Sequence, residues 1–132
     1  MPELPEVETT RLGLVPRVVG RRIRDVVVRE PRLRWPVPRD LAGRLRGERV
    51  RDIRRRGKYL LFAVGEGHLL VHLGMSGNLT VVGHDAPARP HDHVDIALDS
   101  GEIVRLNDPR RFGAMLWVRE PATHALLRDL GP

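Results

Sequence analysis

The sequence predicts a mainly β fold with flanking helices: a two-layer antiparallel β-sandwich with an N-terminal helix and one or two further short helices. Three observations predict it. Eight short apolar or alternating segments follow one another between residues 23 and 118. Turn-forming residues separate them, as in Gly65-Glu66-Gly67, Pro87 to Pro90 and Asp99-Ser100-Gly101. One longer segment with helix-entry residues precedes them all. Several short strands at close spacing argue for a sandwich or barrel. No internal repeat, low-complexity tract or Gly/Ser linker interrupts the pattern.

Residues 5–19, PEVETTRLGLVPRVV, read as the first helix. Pro5 suits a first-turn position, and Glu6 and Glu8 favour the positive N-terminal end. Val7, Leu12 and Leu14 are expected to form part of an apolar stripe, with Pro16 ending or kinking the helix and Gly20 closing the segment. IRDVVVRE (23–30) and ERVRDIRRR (48–56) alternate in part, and PRDLAGRLR (38–46) between them reads as a second short helix. KYLLFAV (58–64) and HLLVHLGM (68–75) are apolar runs, followed by NLTVV (78–82), HVDIAL (93–98), EIVRL (102–106) and AMLWV (114–118). ATHALLRDL (122–130) is expected to form a closing helix, and the stop at Gly131-Pro132 reads as a truncation.

A chain of 132 residues fits one domain and can bury roughly 65–70% of its unfolded surface. It has no cysteine, so it has no disulfide framework, cysteine-based zinc site or thiol nucleophile. No apolar run reaches the ~18 residues of a membrane span, and MPELPEVETT lacks the basic and apolar regions of a signal peptide. A soluble, cytoplasmic protein is the expectation. The net charge of +6 is unevenly placed: residues 1–64 carry 17 basic and 8 acidic side chains, residues 65–132 carry 6 and 9. A basic half suggests a polyanion, of which phosphates are the commonest, although arginine drift would explain any single Arg as well. Of the basic residues only Lys58 is a lysine.

The N-terminus carries its own chemistry. Pro2 is small enough for Met1 to be removed, which would leave a secondary α-amine. An α-amine titrates near 7.7–8.0, so a useful fraction is a free nucleophile at neutral pH, whereas a lysine near 10.4 would need a large shift. Condensed with a sugar aldehyde carbon it gives a cationic iminium, an electron sink. Glu3 and Glu6 beside it could do general acid/base work on a carbon–nitrogen bond. Taken alone the cluster is weak evidence, since Met-Pro starts are common and Glu6 also suits a helix N-terminus.

MPELPEVETT, RLRWP (32–36), RRGKYLL (55–61), HLGMSG (72–77), HDHVD (91–95) and NDPRRFGA (107–114) occur together and in order. This set resembles the N-terminal domain of the bacterial formamidopyrimidine-DNA glycosylases, over essentially the whole chain. Leu4 in PELPE separates it from the sister endonuclease VIII group, which resembles PEGPE there. The resemblance implies a base-excision-repair enzyme, a bifunctional glycosylase and AP lyase. It would remove oxidised purines (8-oxoguanine, formamidopyrimidines) through a Schiff base at the N-terminal proline, followed by β,δ-elimination.

Residue by residue, the resemblance implies that Pro2 is the nucleophile at C1′, Glu3 the acid/base and Glu6 a supporting carboxylate. It implies that Lys58 binds a DNA phosphate and donates a proton during elimination. His72, His91 and Arg110 would contact DNA, and Met75, Arg110 and Phe112 would fill the gap left by a flipped nucleotide. Elementary chemistry accommodates these roles. A stacked base must be extruded before its C1′ can be reached, apolar wedges can occupy the vacated space, and an arginine fork can donate to the widowed base. Lys58 can give up a proton, which a guanidinium effectively cannot. Without the joint pattern, Met75 and Phe112 would be read as core, His72 as a hydrogen-bonded core histidine, and Arg54 to Arg56 with Lys58 as a solvated face. His91 and His93 flanking Asp92 are thin evidence for a metal site.

The resemblance also implies a helix–two-turn–helix element and a four-cysteine zinc finger, both absent from residues 1–132. No cofactor is expected in this chain, and one structural zinc is expected in the absent half. Damaged double-stranded DNA is the expected partner, with no membrane association. The full-length relative is expected to be a monomer, and a face left uncovered by the absent half would invite self-association. Losing phosphate contacts should weaken binding by orders of magnitude at physiological salt, leaving the isolated domain weak or inactive. If Met1 stays attached, the Pro2 nitrogen is a tertiary amide and forms no Schiff base. Two rivals stand beside this reading: Lys58 as the Schiff-base residue, and a non-catalytic nucleic-acid-binding β-sandwich module.

Overall fold

The computed structural model describes residues 4–74 and 76–121, with the side chain of Leu4 left aside. The element order is helix α1 (Leu4–Val18), strand β1 (Ile23–Val28), helix α2 (Leu41–Leu45) and strand β2 (Val50–Arg56). Strands β3 (Tyr59–Val64), β4 (Gly67–His72), β5 (Asn78–Val82), β6 (Asp92–Leu98), β7 (Ile103–Asn107) and β8 (Ala114–Val118) follow. They form two four-stranded antiparallel sheets, β1-β6-β7-β5 and β2-β3-β4-β8. The expected sandwich is therefore present, with each strand within a few residues of its expected span. The proposed closing helix at 122–130 lies outside the described residues.

Period-2 alternation places the core between the sheets. Ile53, Leu60, Phe62, Leu69, Val71 and Met115 face inward from the second sheet, and Val26, Ile96, Val104, Leu106 and Leu79 from the first. Burying such a side chain contributes about 1.5–3 kcal/mol. Leu61, Leu70 and Val118, with Tyr59, form a smaller cluster on the outer side of the second sheet.

Helix α1 packs against β2, β3 and β5, and α2 against β1 and β8. Two helix expectations need correction, the apolar stripe of α1 and the length of α2. The span of α1 is close to the expected 5–19, and Pro16 lies inside it. Pro16 lacks the N–H for an i→i−4 bond, but Leu14 and Val18 are both buried and hold the last turn in place. The apolar stripe is Val7, Leu14 and Val18, whereas Leu12 is 57% exposed because it points away from the sheets. Helix α2 is shorter than 38–46; the Asp40 carboxylate makes no capping bond and instead takes the Arg44 Nε–H at 2.9 Å. Among the described residues, no helix is long and apolar enough to cross a membrane.

Candidate nucleic-acid interface

The connections at one end of the sandwich carry most of the residues singled out above. The β2–β3 turn is Gly57-Lys58, β4 ends at His72, β6 begins at Asp92 and β8 begins at Ala114. Strand register fixes their neighbourhood: Tyr59 pairs with His72, His72 with Ala114, and Asp92 with Asn107. The first turns of α1 reach the same end, because the Glu8 carboxylate accepts from Arg55 Nε at 3.1 Å and from Arg11 Nη2 at 2.6 Å. Arg11 in turn donates to the Ile53 carbonyl at 3.2 Å. The Arg11 hydrogen bonds, reinforced by Arg55, hold Glu8 down to about 2. Glu6 sits on this turn, exposed, and its carbonyl accepts from the Thr10 hydroxyl.

Two connections between the sheets meet here, at Leu73-Gly74 after β4 and at the 108–113 loop, and they touch because their glycines lack side chains. Gly74 adopts φ +65°, and a Cβ on it would lie 2.7 Å from the Phe112 carbonyl carbon and 2.8 Å from the Gly113 nitrogen. A Cβ on Gly113 would lie 2.5 Å from the His72 carbonyl oxygen. Asp108, fully buried, anchors the second loop: its Oδ2 accepts from Gly113 N–H at 2.9 Å and its carbonyl from Arg111 N–H at 3.1 Å. Its own N–H donates to the His91 carbonyl at 3.1 Å.

These loops and the segment after β1 enclose an open groove of about 760 Å³, lined chiefly by Arg32, Arg34, His72, Arg110, Arg111 and Phe112. Phe112 is 40% exposed, so it is not the core aromatic that composition alone suggests. The Arg110 guanidinium sits 4.8 Å from its ring centroid, a cation–π stack at the groove lip. His72 is half-buried, its ring 4.9 Å from that of Tyr59. Burial pushes its pKa down, and the charges of Arg34 and Lys58 push it further. Its Nδ1 accepts from Gly74 N–H at 3.2 Å, which leaves the proton of the neutral ring on Nε2, a donor suited to a phosphate oxygen. His91, exposed at φ 72°, stands at the entry to β6. Pro2, Glu3 and Met75 lie outside the described residues.

Next to His91, both Asp92 and His93 are structural in their contacts. His93 Nε2 lies 2.8 Å from the Asp108 carbonyl. The buried Asp92 accepts from Asn107 Nδ2 at 2.8 Å and from Arg89 N–H at 2.7 Å. Among the described residues, no group of three or more His, Cys, Asp or Glu side chains could hold a metal ion. The zinc that the resemblance implies does not fit this chain, which has no cysteine.

Arg32, Arg34 and Arg111 were not singled out individually, although RLRWP and NDPRRFGA contain them. Nor was Glu30, whose carboxylate closes on Arg32 at 2.8 Å and lies 3.7 Å from Arg111. The Glu30–Arg32 spacing is visible in the sequence; the approach of Arg111 depends on the folding of the β7–β8 connection against the segment after β1.

The profile described as the formamidopyrimidine-DNA glycosylase N-terminal domain matches residues 1–115. The chain is 63% identical over 133 residues to the formamidopyrimidine-DNA glycosylase of Thioalkalivibrio sulfidiphilus, covering 100% of this chain and 49% of that protein. It is 58% identical over 132 residues to that of Stutzerimonas stutzeri, with the same coverage. The chain thus spans about half the length of the curated relatives it matches. Its structure is similar to that of Lactococcus lactis Fpg in complex with abasic-site DNA, with a TM-score of 0.82 and 35% identity over 89% of this chain and 44% of the other. It is equally similar to the wild-type enzyme of that organism with an N7-benzyl-Fapy-dG DNA, with a TM-score of 0.82 and 36% identity over 89% and 44%.

Proposed function

The chain belongs to the formamidopyrimidine-DNA glycosylase family, whose N-terminal domain it matches, and on that premise we propose that it is the catalytic domain of a bacterial, cytoplasmic base-excision-repair enzyme. The observation that carries the reading is the meeting of the motif-bearing segments at one end of the sandwich, around a groove rimmed by arginines. Its substrate is double-stranded DNA with an oxidised purine, 8-oxoguanine or a formamidopyrimidine.

The Pro2 amine, freed by removal of Met1, attacks C1′ of the extruded nucleotide. The glycosidic C–N bond breaks and the departing base takes a proton; the C1′–O4′ bond then breaks, O4′ taking a proton with help from Glu3, and an iminium joins Pro2 to the opened sugar. Loss of a C2′ proton then expels the 3′ phosphate, and a second elimination expels the 5′ phosphate. Lys58, in the hairpin next to His72, holds a backbone phosphate and gives up a proton during elimination. Glu6 supports the sugar. His72 donates from Nε2 to a phosphate, and His91 and Arg110 contact the DNA. Met75, Arg110 and Phe112 fill the vacated stack, for which the exposed Phe112 and its stacked arginine are suitably placed.

The relatives are about twice as long, so these 132 residues alone make fewer phosphate contacts and bind more weakly. The basic charge of residues 1–64 also fits a second reading, a non-catalytic nucleic-acid-binding module. An abasic-site nicking assay on Met1-free protein, run from low to physiological salt, separates the two. Nicking that disappears in Pro2→Gly while DNA binding persists supports catalysis. Nicking unchanged by Pro2→Gly overturns the assigned nucleophile, and binding with no nicking at any salt supports the module.

A further inference from the structure

Glu30 is a carboxylate paired with two arginines, Arg32 and Arg111, that line the groove assigned above to a polyanion. Left to itself it would repel phosphate and weaken binding. Its position is held from both sides. Its backbone N–H and that of Arg29 both donate to the His93 carbonyl, at 3.3 and 2.7 Å, pinning the segment to the start of β6. Its side chain is only 20% exposed, and its Oε2 accepts from both the N–H and the Nε–H of Arg32 at 2.9 Å. Oε1 accepts from Arg32 Nη2 at 2.8 Å and lies 3.7 Å from Arg111 Nη1.

Arg111 is one of two adjacent arginines on the 108–113 loop, and the two are treated differently. Arg110 stacks on Phe112 and faces no carboxylate in the contacts described. Arg111 holds φ at +57°, a conformation that non-glycine residues seldom adopt, and its guanidinium turns toward Glu30. A guanidinium already opposite a carboxylate is a poorer partner for phosphate, because reaching the phosphate means giving up the pair. Rim charges tune which partner is accepted as much as how tightly it is held.

We propose that Glu30 is a positioning residue that withholds Arg111 from DNA phosphates, so that Arg110 is the arginine of the pair committed to the nucleic acid. The device trades sequence-independent affinity for selectivity: it removes a phosphate contact that would form on any duplex. The inference rests on the DNA-binding reading of the groove.

The test compares the 132-residue chain with Glu30→Gln, Glu30→Asp and the double variant Glu30→Gln/Arg111→Gln. Binding to a fluorescent, undamaged duplex is followed from 50 to 200 mM salt. One added phosphate contact steepens the slope of log K against log salt by about 0.9, so the affinity lost across that range grows about 3.5-fold. Glu30→Gln should show this, with tighter binding at 50 mM. Glu30→Asp should stay near the unaltered chain, and the double variant should return to it. An unchanged slope in Glu30→Gln overturns the proposal, as does a steeper slope that survives in the double variant, which would implicate Arg32. A parallel titration with a tetrahydrofuran-containing duplex tests the functional reading separately. If the chain shows no preference for that duplex the functional reading fails, while the slopes on undamaged DNA still decide the role of Glu30.

Discussion

Replacing Gly74 by alanine measures how far the groove depends on the contact between its two loops, and Gly101→Ala is the matched control. Both glycines hold positive φ, +65° and +92°. An alanine in the left-handed region costs about 1–2 kcal/mol, offset by about 0.4–1 kcal/mol from the stiffer unfolded chain. These terms are shared, so the control should lose about 1 kcal/mol. The surroundings differ. Nothing lies within 4 Å of a Cβ at Gly101, whereas one at Gly74 meets the Phe112 carbonyl carbon at 2.7 Å and the Gly113 nitrogen at 2.8 Å. Both neighbours are backbone, so relief requires moving the 108–113 loop, and overpacking of this kind costs a further ~1–3 kcal/mol. Gly74→Ala should therefore lose about 2–4 kcal/mol. Equilibrium urea unfolding followed by tryptophan fluorescence reads both variants. Equal losses, within about 0.5 kcal/mol, would refute the close-approach argument.

Three further outcomes follow from the same geometry. Asp95→Asn removes the main partner of the buried Arg105, whose Nε and Nη2 lie 2.8 and 3.0 Å from the carboxylate oxygens. Arg105 keeps the Ala86 and Pro87 carbonyls and Asp92, so the loss should be near the lower end of the range for a broken buried pair, about 3 kcal/mol in urea unfolding. Phe112→Ala should change stability by less than about 1 kcal/mol, since the ring is 40% exposed, yet weaken binding to a tetrahydrofuran duplex measurably more than to intact duplex. Acid should destabilise the fold in a defined window. Glu8 and Glu30 are both held at about 2 in the folded chain, against an ordinary 4.5, by arginine hydrogen bonds. Depressed carboxylates stabilise above the unfolded value and lose that contribution as pH falls through the folded one. The urea midpoint should hold from pH 7 to about 4.5 and fall toward pH 2, and the fall should be shallower in Glu8→Gln/Glu30→Gln.

The strands were legible because alternation and turn residues are local signals: the turns at Gly65-Glu66 and at Asp99 to Gly101 lie between the expected strands, whereas the Gly57-Lys58 turn takes the first residue of the expected strand 58–64. The order β1-β6-β7-β5 was not, because pairing partners far apart in the chain leave no period in the sequence. Strand β6 shows where burial departs from composition: Asp92, His93 and Asp95 are buried polar residues made tolerable by Asn107, the Asp108 carbonyl and Arg105. Leu12 misled because one apolar residue in a helix does not say which face meets the sheets; the helix continues through Pro16 because tertiary packing holds a turn it would otherwise break. At the groove, Lys58, His72, Arg110 and Phe112 were marked by their motifs. Glu30 lies outside the motifs, and Arg111 is inside NDPRRFGA without a role of its own there; one follows β1 and the other sits on the β7–β8 connection, so their approach at 3.7 Å exists only after folding.

The central claim is that a secondary amine at residue 2 does the covalent chemistry. Met1-free chain is mixed with an abasic-site duplex and borohydride, and the trapped adduct is digested and mapped by mass spectrometry. The account predicts a DNA-linked peptide modified at Pro2, absent when Met1 is retained. An adduct at Lys58, the only lysine, or one that forms equally with Met1 in place, would contradict it.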